Sequence, residues 1–176
     1  MAIVFLDASV LFKAAVTRFL LGAERVGVFR VAWSPVVVDE ARRNLVARGR
    51  EAALVAFEEN LVWPREVELV QADPNVQTSL QRTDAKDRHV LAAAAAAAAE
   101  ILVTSNARDF DVTEAAALRV RIATPDEFLA EVAERNPHAL IRYIERVPPD
   151  RFERYIRRLE SELPTAMAVL APLFDE

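Results

Sequence analysis

Four carboxylates scattered along the 176-residue chain stand where they could meet: Asp7, Glu40, Asp87 and Asp109. Asp7 closes a short apolar run, Ile3 to Leu6, and Asp109 follows a second strand-like run, Ile101 to Thr104. In a parallel α/β sheet the carboxyl ends of the strands are where ligands collect. Carboxylates gathered in one pocket repel each other, and protonation or a bound cation must relieve the repulsion. The chain has no cysteine and no histidine pair at ligand spacing, so the donors are oxygens, which points to Mg²⁺ or Mn²⁺ rather than zinc. The expected chemistry is phosphodiester hydrolysis, because such an ion activates water and polarises a phosphoryl oxygen. Arg42, Arg43, Arg88 and Arg108 are candidates for positioning a phosphate backbone.

Each acid also has a purely structural reading. Asp39 and Glu40 are neighbours, and consecutive residues on a helix point about 100° apart. Asp39 has Arg42 and Arg43 at i+3 and i+4, the arrangement of a solvated ion pair, whereas Glu40 lies closer to the apolar side formed by Val37, Ala41 and Leu45. Glu40 is thus the inward candidate. Asp84 is placed to cap the helix that runs into eight alanines, with Asp87 three residues on, although a capping box usually has Glu or Gln there. His89 has no partner at ligand spacing and reads as a helix-surface or packing residue rather than a metal ligand.

The elements that position these groups follow from periodicity and punctuation. After the first strand a helix is expected over about 9–21, with Ser9 as its N-cap. Phe29 to Trp33 reads as a second strand, and Ser34–Pro35 as the cap and first residue of a helix to about residue 48. A third helix is expected over 51–62, and the stretch 66–82 is open between an edge strand and helical turns. Val120 to Ala123 reads as the last strand, followed by a capping box, Thr124 to Glu127, that starts a helix to about 134. Successive strand–helix units give an α/β fold with a parallel sheet over residues 1–135. Beyond Asn136–Pro137 the pattern is helical throughout, a C-terminal extension over 137–176 ending in an apolar tail that needs a covering surface.

Composition bounds the rest. With 53% hydrophobic residues the chain builds a real core, and a net charge of -5 argues against a surface that grips nucleic acid everywhere, though not against a local basic patch. Of the 22 basic residues only Lys13 and Lys86 are lysines; arginine suits phosphate, but an Ala- and Arg-rich coding bias accounts for it equally. Asp7 interrupts the first apolar run too early for a signal peptide, and no apolar segment has the length of a membrane span, so a cytoplasmic protein is expected.

Four segments carry a resemblance: Phe5 to Leu11 (FLDASVL), Trp33–Ser34 with Glu40 downstream, Asp84 to Ala94 (DAKDRHVLAAA) and Thr104 to Phe110 (TSNARDF). In this order they resemble the PIN-domain ribonucleases, especially the VapC-like toxins of toxin–antitoxin pairs, one branch of which carries a similar helical extension. The resemblance implies a Rossmann-like three-layer α/β/α fold and RNA cleavage dependent on Mg²⁺ or Mn²⁺. It makes Asp7, Glu40, Asp87 and Asp109 the metal site, with Ser9 and Asn106 in support and Asp84 a further ligand. Many members have an acid where this chain has Asn106. The implied partners are an RNA substrate, a small antitoxin and a second copy of the chain in a homodimer.

Other classes fit less well. A haloacid-dehalogenase-like phosphatase needs a second Asp two residues after the first, where Ser9 stands, and a receiver domain needs a late lysine in the sheet that this chain lacks. A scaffold that binds RNA or a protein without cutting it would use the apolar tail as a partner surface, but would carry four mutually repelling acids without return.

Overall fold

The computed structural model describes residues 1–51, 54, 58 and 68–174. Among these, five strands form one parallel sheet: β1 (Ile3–Leu6), β2 (Arg30–Trp33), β3 (Glu68–Leu69), β4 (Ile101–Val103) and β5 (Arg121–Ala123). The order across the sheet is β3-β2-β1-β4-β5. The chain builds outward from β1 on one side, then crosses over to build β4 and β5 on the other. The strand order therefore reverses between β1 and β4, and a crevice opens at their carboxyl ends. Leu6 pairs with Val103, so Asp7 and Thr104, each one residue further on, emerge side by side. Val4, Phe5 and Leu6 are completely buried, as befits a strand covered on both faces.

The helices are α1 (Ala14–Arg25), α2 (Pro35–Ala47), α3 (Pro74–Ser79), α4 (Arg88–Ala96), α5 (Val112–Ala117), α6 (Pro125–Arg135), α7 (Pro137–Ile144), α8 (Pro149–Glu162) and α9 (Pro164–Leu170). Two start as the sequence predicts. The Ser34 hydroxyl accepts the Val37 N–H with Pro35 in the first turn of α2, and Thr124 and Glu127 form a reciprocal capping box on α6. The expected helix over 51–62 lies outside the described residues apart from Glu51, Leu54 and Glu58. The open stretch resolves into the two-residue edge strand β3 and the short helix α3, whose N-cap is Asp73.

Two expectations are corrected. The helix predicted over 9–21 is split into a 3₁₀ turn, Ala8–Phe12, and α1, with an extended Lys13 between them. Ser9 caps neither, because its hydroxyl is engaged by Asp7. The helix predicted to begin at Asp84 begins instead at Arg88. The alanine run packs where it should, with Ala92, Ala93 and Ala94 fully buried, but the helix stops before the run does. Ala98 turns left-handed (φ 50°); its N–H reaches Ala95 O and the Ala99 N–H reaches Ala94 O. This is the termination usually built with glycine at that position.

The C-terminal helices share the core of the sheet domain. Leu140, Ile144, Leu159, Leu163 and Leu170 are fully buried in the cluster that holds Phe19 and Leu20 of α1. Helix α9 packs on α6, and the Asp126 carboxylate on α6 accepts the N–H groups of Thr165 (3.1 Å) and Ala166 (3.0 Å) at its start. The apolar tail thus finds its cover within the chain, with Ala166, Met167 and Leu170 buried. No helix among the described residues is long and apolar enough to cross a membrane.

Candidate active site

The site is built from two strand ends and one helix start. Asp7, 5% exposed at the end of β1, points one carboxylate oxygen at two hydroxyls: Ser9 donates at 2.5 Å and Thr104, fully buried after β4, donates at 2.7 Å. The same hydroxyls fold the β4 loop over it. The Ser105 N–H donates to Ser9 Oγ (3.0 Å) and the Asn106 N–H to Thr104 Oγ1 (3.0 Å). Asp7 is fixed in rotamer by both partners, which share one of its carboxylate oxygens. Asn106 contributes through its backbone: its carbonyl accepts the Asp109 N–H (3.0 Å), closing the 3₁₀ turn Ala107–Asp109.

Asp87 occupies the N-cap position of α4 without capping it. One carboxylate oxygen, Oδ2, is buried and has no hydrogen-bond partner, a costly state for an anion. Burial pushes the Asp87 carboxyl up to about 6; Lys86 opposes this, and the charges of Asp7, Asp109 and Asp84 add to it. Asp7, Asp84 and Asp109 thus lie within electrostatic reach of Asp87. Asp84 is exposed; its carboxylate accepts the Lys86 N–H in a local turn, and its own N–H donates to the Asp109 carbonyl (2.9 Å). Glu40 sits half-buried in the second turn of α2, which packs on the 3₁₀ turn after Asp7, but it is not among the charges that act on Asp87.

Three residues of this region lay outside the sequence-based set. Thr104 is one. Lys86 is another: its ammonium lies 3.3 Å from Asp109 and 3.8 Å from Asp87, and the hydrogen bond to Asp109 followed by the charges of Asp87, Asp109 and Asp84 raises its pKa. The third, Glu114 on α5, accepts three consecutive backbone N–H groups, from Gln81 (2.6 Å), Arg82 (2.8 Å) and Thr83 (2.8 Å). Burial alone would raise the Glu114 carboxyl, but these donors hold it down at about 2. The Thr83 hydroxyl accepts the Asp111 N–H (3.2 Å), so the loop carrying Asp84 and Asp87 is sewn to the loop carrying Asp109. A hydroxyl one residue past a strand and a lysine between two aspartates were visible signals; Glu114, thirty residues from its partners, left none.

Glu114→Gln is expected to lower stability by about 1–2 kcal/mol, since hydrogen bonds to a charged acceptor are among the stronger ones. Because its pKa is depressed, the Glu114 contribution is present above its ordinary value of 4.5 and fades as pH falls towards about 2. Urea denaturation at neutral pH and near pH 2 checks this: the gap between wild type and variant should close in acid.

The four candidate arginines differ in their engagement. Arg42 is paired with Glu58 and with Asp39 (3.1 Å). Arg88 donates to the Thr83 (3.1 Å) and Gln81 (3.3 Å) carbonyls, which makes it a brace of the acidic loop. Arg43 donates to the Asp39 carbonyl. Arg108 is exposed on the turn that carries Asp109.

The family model described as PIN domain matches residues 3–108, more than half of the chain. The chain belongs to the PIN domain family. No match is found among curated proteins or among solved structures. PIN domains are in general nucleases, and in general they use divalent metal ions. The matched span of this PIN domain includes Asp7, Glu40, Asp84, Asp87 and the turn up to Arg108; Asp109 falls one residue beyond it. Among the described residues no three Asp, Glu, His or Cys side chains are gathered closely enough to hold an ion. The donor chemistry nevertheless fits a hard divalent cation: every group is an oxygen, and the Oδ2 of Asp87 is buried without a hydrogen-bond partner.

Proposed function

We propose that this PIN domain is an endoribonuclease that hydrolyses RNA phosphodiester bonds with Mg²⁺ or Mn²⁺, and that it is the toxin of a type II toxin–antitoxin pair. The observation that carries the reading is the buried Asp87 oxygen without a hydrogen-bond partner, near the switch point of the sheet, on a carboxyl that feels the charges of Asp7, Asp109 and Asp84. Asp7, Asp87 and Asp109 would hold the ion, with Glu40 and Asp84 as further ligands. When bound, the ion supplies an activated water and neutralises charge on the phosphoryl group. Ser9 and Thr104 hold Asp7 in a fixed rotamer, so its carboxylate is preoriented. Arg108 and Arg43 would contact the phosphate backbone, and the RNA would be presented as a single strand or loop.

The test is cleavage of a pool of structured RNAs with Mn²⁺ or Mg²⁺, with mapping of the new 5′ ends. Asp7→Asn is expected to reduce cleavage by at least about a hundredfold, the scale of losing one preorganised electrostatic group. Full activity in Asp7→Asn would end the proposal. The loosely gathered acids favour a second reading, a PIN scaffold that binds RNA or protein without cutting; RNA binding with no cleavage in either metal selects it. The toxin assignment and the homodimer rest on the resemblance, and are checked by co-purification with the product of an adjacent short reading frame and by sedimentation.

A further inference from the structure

Lys86 is the feature of the site that neither the hydrolytic chemistry nor the packing calls for. It is exposed, with a side chain 65% accessible, so burial does not hold it. It nevertheless turns its ammonium inward to stand 3.3 Å from Asp109 and 3.8 Å from Asp87, on the same Asp87 Oδ2 that lacks any hydrogen bond. The other lysine, Lys13, is remote in sequence, at the break before α1. The backbone fixes the arrangement: the Lys86 N–H is held by the Asp84 carboxylate (3.2 Å), and the Asp84 N–H is held by the Asp109 carbonyl (2.9 Å). The lysine is thus tethered on the loop that closes over the acids, with its charge returned to them.

We propose that the Lys86 ammonium is a built-in counter-cation of the acidic cluster, which a divalent ion must displace from Asp87 and Asp109 before it binds. The inference rests on the metal-dependent reading of the site given above. Two cations cannot share these oxygens at ion-pair distance without strong repulsion. Displacement costs binding free energy, so the lysine weakens metal affinity; it also neutralises part of the acidic charge of Asp87 and Asp109. An exposed pair contributes modestly, which sets the expected size of the effect.

Mn²⁺ binding to the full chain is measured by calorimetry and by the loss of free-Mn²⁺ electron paramagnetic resonance signal. Wild type, Lys86→Met, Lys86→Arg and Asp87→Asn are compared, with thermal melts to confirm folding. Lys86→Met is expected to bind Mn²⁺ about two- to fivefold more tightly, and Lys86→Arg to bind no more tightly than wild type, as fits a modest ion-pair effect. Equal or weaker binding in a folded Lys86→Met overturns the counter-cation role while leaving the metal site intact. If neither wild type nor Lys86→Met binds Mn²⁺, the metal-dependent reading fails and the counter-cation role fails with it. Lost binding in Asp87→Asn ties the measured ion to this cluster, and unchanged binding there places the ion elsewhere and overturns the inference.

Discussion

Asp87→Asn is expected to make the metal-free protein more stable at about pH 7.5 while removing its nuclease activity. Burial raises the Asp87 carboxyl to about 6 against an ordinary 3.8; Lys86 offsets part of this, and Asp7, Asp109 and Asp84 add to it. A carboxyl whose folded pKa is raised favours folding when protonated. Its stabilising contribution is fully present below about 3.8 and is lost as pH rises through about 6. Above that range the folded protein carries a buried charge that the unfolded chain would hydrate freely. A shift of this size corresponds to roughly 1–3 kcal/mol. Asparagine keeps the shape and never ionises, so the gain should appear above about pH 6 and shrink towards pH 4. Chemical denaturation of both proteins in chelator across this range measures it. A variant no more stable than wild type at about pH 7.5 would mean that the cluster does not destabilise the folded state. RNA cleavage by the same variant should fall by a hundredfold or more, on the scale of lost electrostatic groups in active sites.

Gly22→Ala is expected to lower stability by about 1–3 kcal/mol, although alanine is the better helix former. Gly22 lies in the middle of α1, where a Cβ would fall inside the ring of Tyr143 on α7. That ring cannot simply swing aside. Its hydroxyl donates to the Arg18 carbonyl (2.9 Å), and it stacks with Phe19 at 6.3 Å between centroids. The alanine gains about 1 kcal/mol in helix propensity, whereas overpacking costs about 1–3 kcal/mol and the displaced hydroxyl forfeits about 1 kcal/mol more. Packing wins. A double-mutant cycle decides the cause: in a Tyr143→Ala background the Gly22→Ala change should become neutral or stabilising. An equal cost in both backgrounds would locate the strain elsewhere.

Much of this architecture is written locally in the chain. Ser34–Pro35 and Thr124-to-Glu127 announce their helices because a cap needs only neighbours, and β1 and β4 are apolar runs bounded by polar residues. The parts that escaped are long-range. Ser9 looks like an N-cap until Thr104, ninety-five residues away, joins it on Asp7. Asp84 looks like one until the loop is pinned by Asp109 and Glu114, which delays the helix to Arg88 and frees Asp87 from a capping role. The short helix α3 escaped because six residues carry too little periodicity to read. At the site, the sequence pattern named Asp7, Asp87 and Asp109, of which Asp7 and Asp109 act on Asp87, and also Glu40, which does not; it could not see Lys86 beside Asp109, since a lysine's reach is set by the fold around it.

The partnership between Gly22 and Tyr143 bears on where this molecule may be cut. The family match ends at residue 108, yet the ring that seats on α1 belongs to α7, and α9 is fastened to α6 through Asp126. A fragment trimmed to the match would strip β5 from β4 and leave Phe19 and Leu20 facing water. The span of the family match and the span of the shared core are different, and fragments for crystallisation or for fusion to a reporter should retain the helices through α9.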